Sequence, residues 1–336
     1  MTEADVPFSP TDAINARILA VSEDKVQGFQ RDPFGEIARQ SGVELSVVIE
    51  RIQAMLRAGT IRRVRQTLMS TNLAPGSNYK LWTTLKVPSG FSMRKHCEFL
   101  ARQVGADHFR LMPAKKLFAL GVGHVRRRGL EPGSKADVPA EPQDVNVVQL
   151  SELDWRVLIP LKREFAPEEI TPNVWEARAR EAGLPLETFC EVAGQLNRRK
   201  IIGRFSTFLE HVKTLKTGEQ VTRYNALFHW AVPPGRELEA GREVGRFHVL
   251  THAYWREGGP EFRNVNIMAV AHGTDRDLLL AHKAAIDAHL QAVGIPAGYT
   301  NVFWGGRSEI KPSEVSPLAY RDWCRTIGLD PETMRE

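Results

Sequence analysis

The sequence predicts an α+β chain that is a tandem repeat: a winged helix–turn–helix unit, a small ferredoxin-like α+β module, and then the same pair again. Three observations predict it. The chain matches itself at a nearly constant offset, each half opens on helix–turn–helix grammar, and each half then turns to strand-rich sequence closed by proline. An offset of 141 residues lays Ala38 on Ala179, Gly42 on Gly183, Leu45 on Leu186, Met55 on Leu196, Ile61 on Ile202 and Arg63 on Arg204 without a gap. It grows to 145 where Tyr79 meets Tyr224 and Val87-Pro88 meets Val232-Pro233, and to 148 where Gly121-Val122-Gly123-His124 meets Ala269-Val270-Ala271-His272. Loop insertions make an offset drift in this way, and a fixed period marks a structural unit used twice.

The first winged unit is expected over residues 12–70. Residues 36–41 read as a short helix stopped by Gly42. A second helix over 45–58 carries Val48, Ile49, Ile52, Met55 and Leu56 at spacings of three and four, which puts them on one buried face. Gly59 ends it, and residues 60–68 form the wing strand. The second unit, over 149–210, repeats the pattern with helices at 174–182 and 186–199 and a strand at 201–209.

The α+β modules are expected over 76–130 and 220–312. Residues 81–87 and 226–232 read as strands with proline at their exits. Helices follow at 93–103 and 238–246, then strands near 117–125, 249–255 and 264–271, and a last helix at 277–292. This order is that of a ferredoxin-like module. Residues 131–148, rich in proline, glycine and charge, read as a linker. Residues 313–336 form a tail suited to clamping the other half or a second chain.

At 336 residues, 42% hydrophobic and 25% charged, the chain is long enough for more than one core. No apolar run approaches the ~18 residues of a membrane helix, and Glu3 and Asp5 stand where a secretory signal carries basic residues, so a cytoplasmic protein is expected. Cys97, Cys190 and Cys324 lie far apart without CxxC or Cys/His spacing, which predicts neither a metal site nor a disulfide framework. A net charge of +5 favours anionic partners, either nucleic acid or a polycarboxylate.

The densest polar cluster is Thr251-His252-Ala253-Tyr254-Trp255-Arg256. On a strand, His252, Tyr254 and Arg256 share a face. Histidine exchanges a proton near neutral pH and arginine holds a carboxylate through paired hydrogen bonds, so the face suits a carboxylate-bearing ligand. His272 ends an apolar strand before Gly273, and His124 is its counterpart, followed by Arg126, Arg127 and Arg128. His252 and His272 are the candidate catalytic residues; Arg204, His211, Tyr254, Arg256, His124 and Arg126 are the candidate substrate-binding residues. His229 is a further candidate, and His108 and Arg110 are the nearest first-half counterparts of His252. The reading helices carry Glu44, Ser46 and Glu50, and Glu187 and Glu191, where phosphates would approach, and these acids argue against DNA.

Doubled in one chain, with Gly203-Arg204-Phe205, Thr251 to Arg256, and Asn266-Ile267-Met268 leading to His272-Gly273, the pattern resembles the siroheme decarboxylase branch of the Lrp/AsnC superfamily, in which two such subunits pair or are fused. A Trp-Pro-Tyr-Asn segment typical of that family is replaced here by Phe262-Arg263-Asn264-Val265-Asn266. The resemblance implies an AsnC-type ligand-binding module and removal of acetate carboxyl groups from siroheme to give didecarboxysiroheme, in the alternative haem or haem d1 route. It implies no separate cofactor, because the iron arrives within the tetrapyrrole. A homo-oligomer stays open. The alternatives are a tandem Lrp/AsnC-type DNA-binding regulator with a small-molecule or haem effector, and a tetrapyrrole carrier.

Overall fold

The two winged units share one hydrophobic core. A computed structural model describes residues 6–68, 77–78, 85, 87–121, 123–125, 127, 129–145, 148–210, 214–219, 221–305 and 316–336. The first unit comprises helices α1 (Ala13–Ser22), α2 (Pro33–Ser41) and α3 (Leu45–Ala58) and strand β1 (Ile61–Leu68). Asp12 caps α1 and Asp32 caps α2, each through its carboxylate on backbone N–H groups, and Gly42 ends α2 in the left-handed conformation, φ 64°. The periodic residues of α3 bury Val48, Ile52 and Met55 as expected, while Ile49 and Leu56 are partly buried beside them.

The second α+β half opens on a second winged unit. Its helices are α5 (Glu152–Lys162), α6 (Glu176–Glu181) and α7 (Leu186–Arg198), and its strand is β6 (Ile202–Leu209). α1 and α5, which the periodicity did not disclose, are the opening helices of the two units. Their Ile18, Leu19, Val157, Leu158 and Leu161 pack with Phe34, Ile52, Trp175, Phe189 and Phe205 in one cluster. The wings pair with each other: β1 and β6 run antiparallel, with Val64 opposite Thr207 and Arg65 opposite Ser206. Trp175 packs against Phe29 of the first unit with ring centroids 5.6 Å apart and donates its indole N–H to Gln30 O, so this residue ties the halves together by both packing and hydrogen bonding.

The second module matches the ferredoxin-like expectation. Its elements are β7 (Tyr224–Ala231), α8 (Glu237–Gly245), β8 (Leu250–Arg256), β9 (Ile267–Gly273), α9 (Arg276–Ala292) and β10 (Tyr299–Trp304), with spatial order β10-β7-β9-β8, all antiparallel. Alternate residues of these strands, among them Phe228, Trp230, Ala253, Ile267, Ala269 and Ala271, face α8 and α9 and form a second core. The opposite face of the sheet carries the polar residues considered below.

The first module is built differently. Its helix α4 (Met93–Val104) follows a two-residue strand β2 (Ser77–Asn78), and after β3 (Arg110–Leu111) its strand β4 (Ala114–Leu120) joins the second module's sheet beside β8. The strand expected near 117–125 thus starts earlier and stops at Leu120, where Gly121 and Gly123 begin a loop. Most of the strand expected over 81–87 lies outside the described residues. No helix follows β4 in the described part of this half. Instead α10 (Pro317–Thr326), from the C-terminal tail, packs Tyr320 and Cys324 against Val87, Phe91, Met93 and Cys97. The tail clamps the other half.

The segment expected as a free linker is ordered against α8. Ala136 and Ala140 donate N–H groups to Arg246 O and Arg242 O, and β5 (Gln143–Asp144) adds to the edge of β4. No helix among the described residues is long and apolar enough to cross a membrane.

Candidate active site

The bare face of the second module's sheet is where β8 presents its charge. Ala253 packs into the helix-side core, which turns His252, Tyr254 and Arg256 to the other face, as strand alternation requires. The His252 ring lies nearly parallel to Tyr254 at 5.9 Å, and the Arg256 guanidinium stands 4.7 Å above the same phenol. Arg256 also donates to Met112 O, which fixes it beside β4. On the neighbouring strand β9, His272 shares this face with Met268 and Val270.

Two other parts of the chain close on this face. The loop after β4 carries His124, whose ring meets that of His272 edge to face at 5.4 Å. From β6 of the second winged unit, the buried Arg204 donates its Nε to Glu23 O at 3.3 Å and to Ser206 Oγ at 3.4 Å. Its charge reaches Tyr254. Six expected residues, His124, Arg204, His252, Tyr254, Arg256 and His272, therefore converge. His211 and Arg126 lie outside the described residues.

The other candidates do not join them. His108 is exposed, and Arg110 pairs with Glu261 at 2.6 Å, so neither is a working counterpart of His252. His229 is buried under Phe262 and Tyr299, with ring distances of 5.0 and 5.8 Å, and is a packed core histidine.

Two residues of the site were not foreseen, Glu23 and Asp24 at the end of α1; Arg127, one of the three arginines noted after His124, joins them. The Glu23 carboxylate accepts the Val125 N–H at 3.0 Å, and the Asp24 carboxylate meets Arg127 at 3.3 Å. Arg127 donates in turn to His248 O at 2.9 Å and Gly123 O at 3.2 Å. A Cβ on Gly123 would sit 2.9 Å from the Asp24 carboxylate, so glycine is what lets the loop approach the winged unit. The offset of 141 that pairs Arg63 with Arg204 also pairs Glu164 with Glu23, and Arg63 meets Glu164 at 3.0 Å. That equivalence was the signal available in the sequence.

Burial sets the electrostatics. It pushes the Glu23 carboxyl up to about 8 against the pull of the Val125 and His124 N–H groups, with Asp24 adding to the rise. It drives the His252 imidazole down to about 3, helped by His272, Arg204, Arg127 and Arg256, and lifts the Tyr254 phenol to about 12. The site thus holds a neutral histidine among cations. Beside it, a cleft of about 470 Å³ is walled by His124, Arg127, Thr251, His272, Leu278 and His282.

No protein-family model matches the chain. Over 107 residues, 32% of its length, it is 26% identical to the siroheme decarboxylase beta subunit of Desulfovibrio desulfuricans. The match spans 62% of that subunit. The crystal structure of the siroheme decarboxylase NirDL superposes over 87% of this chain and 90% of its own, with a TM-score of 0.56 and 16% identity. This chain has the siroheme decarboxylase fold. A second NirDL crystal structure, in co-complex with an iron-uroporphyrin III analogue, superposes over 88% of this chain and 91% of its own, again at TM-score 0.56 and 16% identity.

Proposed function

We propose that the chain is a siroheme decarboxylase-type enzyme, binding siroheme against the bare sheet face and removing acetate carboxyl groups. The observation that carries the reading is the meeting of His252 and His272 with Arg204, Arg256 and Arg127 on that face, in a fold shared with siroheme decarboxylases. An iron-uroporphyrin analogue bound to NirDL supports the same ligand class. The substrate is a polyanion, and the cluster is cationic, with the apolar side chains of Leu227, Met268 and Val270 on the same sheet face.

In each decarboxylation the bond between the acetate methylene and its carboxylate breaks. The electron pair stays with the methylene carbon, delocalised into the ring; carbon dioxide leaves, and one proton is taken up to give a methyl group. The protein's tasks are to hold the other carboxylates, to orient the reacting one, and to supply that proton. Arg204 and Arg256 hold carboxylates through charge-assisted hydrogen bonds. Burial holds His252 neutral first, with His272 and the guanidinium charges adding to it; entry of those carboxylates offsets the cations' share, which raises its proton affinity just when a donor is required. His252 then delivers the proton, and His272, at the wall of the cleft, renews it from solvent. No separate cofactor is invoked.

The test is anaerobic incubation with siroheme labelled in its acetate carboxyls. Release of labelled carbon dioxide supports the reading; bound but unchanged pigment makes the protein a carrier, and absence of binding returns it to the regulator class. The acids that argue against DNA remain in place at the reading helices, with Glu187 engaged by Arg31.

A further inference from the structure

The β1–β6 ribbon presents three arginines on one face. Val64, Phe205 and Thr207 turn to the winged core or its buried polar lining, while Ser206, directly opposite Arg65 and itself buried, turns to the other face of the ribbon, where Arg204 reaches its hydroxyl. By strand alternation Arg63, Arg65 and Arg204 therefore share that other face. Arg204 is the arm whose charge reaches Tyr254.

The three are not equally satisfied. Arg63 has Glu164 at 3.0 Å, and Arg204 donates to Glu23 O and Ser206 Oγ. The Arg65 side chain makes no hydrogen bond and no ion pair among the described residues, although it is half-buried and its Nε is shut off from solvent. It rests over the Phe208 ring at 5.5 Å, which limits where the guanidinium can go. Its nearest charges are Arg63, Arg62 and Arg204, all of its own sign, against Glu164, which Arg63 already engages; burial and these neighbours disfavour its charge. A half-buried guanidinium without an acceptor is costly, and a protein keeps one where an anion arrives.

Resting on the reading of the site as a tetrapyrrole pocket, we propose that Arg65 is a further substrate-binding residue, contributed by the first half, which takes a carboxylate of the tetrapyrrole beside the one held by Arg204. Phe208 beneath it pre-orients the guanidinium, so that little freedom is lost when the carboxylate binds. The active half of the molecule thereby draws one arm of its pocket from the half that has no counterpart of His252.

The experiment titrates iron uroporphyrin III, by its visible absorbance, into the full chain and its Arg65→Gln and Arg65→Lys variants, with thermal melting of each empty protein alongside. The expected result is a loss of affinity of about 10- to 100-fold in Arg65→Gln, the range of one charge-assisted hydrogen bond, and partial recovery in Arg65→Lys. The same Arg65→Gln change is expected to leave the empty protein as stable as the parent or more so, because it removes an unpaired buried cation. A residue with a merely structural role would lower the melting temperature instead. Unchanged affinity in Arg65→Gln, or weaker binding accompanied by a lower melting temperature that Arg65→Lys does not relieve, overturns the assignment. If the parent protein itself does not bind iron uroporphyrin, the tetrapyrrole reading falls and the role of Arg65 falls with it, a result distinguishable from failure of the variant alone.

Discussion

His124 and His272 stand at equivalent places in the two halves, 148 residues apart, and their rings meet edge to face at 5.4 Å. The repeat thus brings two copies of one residue to one site, with unequal surroundings: His272 ends a strand of the sheet and His124 lies in the loop held by Glu23 and Asp24. Replacing His272 by alanine is expected to slow turnover by about a hundred- to ten-thousand-fold, the range of a lost acid–base group, with substrate affinity nearly kept. His124→Ala is expected to lose about tenfold, through poorer placement of His272. Single-turnover rates with saturating siroheme separate the two.

Arg256 and Arg204 are expected to act on binding first. Arg256→Ala removes one carboxylate contact and weakens siroheme affinity by about 10- to 100-fold with a smaller change in the rate of the bound complex. Arg204→Ala does the same and also destabilises the fold, because the buried guanidinium holds Glu23 O. Absorbance titration and chemical denaturation of both variants check the contrast.

Stability should depend on pH in a way that identifies Glu23. Its carboxyl, ordinarily near 4.5, sits at about 8 in the folded chain, so the folded state binds the proton more tightly than the unfolded state. That contribution is present below about 4.5 and is lost as pH rises towards 8. His252, ordinarily near 6.5, is down at about 3, so its contribution is present above 6.5 and is lost as pH falls towards 3. The two slopes oppose each other between 4.5 and 6.5. From 6.5 to 8 only Glu23 acts, and the melting temperature should fall over that window. Glu23→Gln, which keeps an acceptor for the Val125 N–H, should flatten it.

The tail helix should report on the first half alone. Tyr320 is buried between Phe91 and His96, with its hydroxyl 3.0 Å from His96 Nδ1. Tyr320→Ala is expected to cost about 3 kcal/mol, in the range for deleting a buried aromatic ring. Hydrogen exchange should then quicken in α4 while α9 keeps its protection, because the two lie in separate cores.

Local periodicity and strand alternation made much of this readable from sequence. The apolar spacing of α3 and the alternation of β8 are properties of a few neighbouring residues, so they placed Ile52 in a core and His252, Tyr254 and Arg256 on one face before any tertiary contact was known. What stayed hidden depends on contacts between distant segments. Glu23 looks like any surface glutamate at a helix end until β6 and the His124 loop close over it, and β4 looks like a strand of the first module until it pairs with β8. The tail reads as a clamp on the other half or on a second chain, but the choice between them stayed hidden, because an amphipathic helix does not say which surface it covers. Arg65 reads as one of several wing arginines, and only the register with Ser206 sets it beside Arg204.

The most direct test of the account is an anaerobic single turnover of siroheme in D2O, followed by mass spectrometry of the pigment, with His252→Ala and His272→Ala run in parallel. The account predicts a product lighter by carbon dioxide at each lost carboxylate, with one deuterium in each new methyl group, and strongly slowed formation in both variants. Pigment recovered with all its acetates after full binding would contradict it.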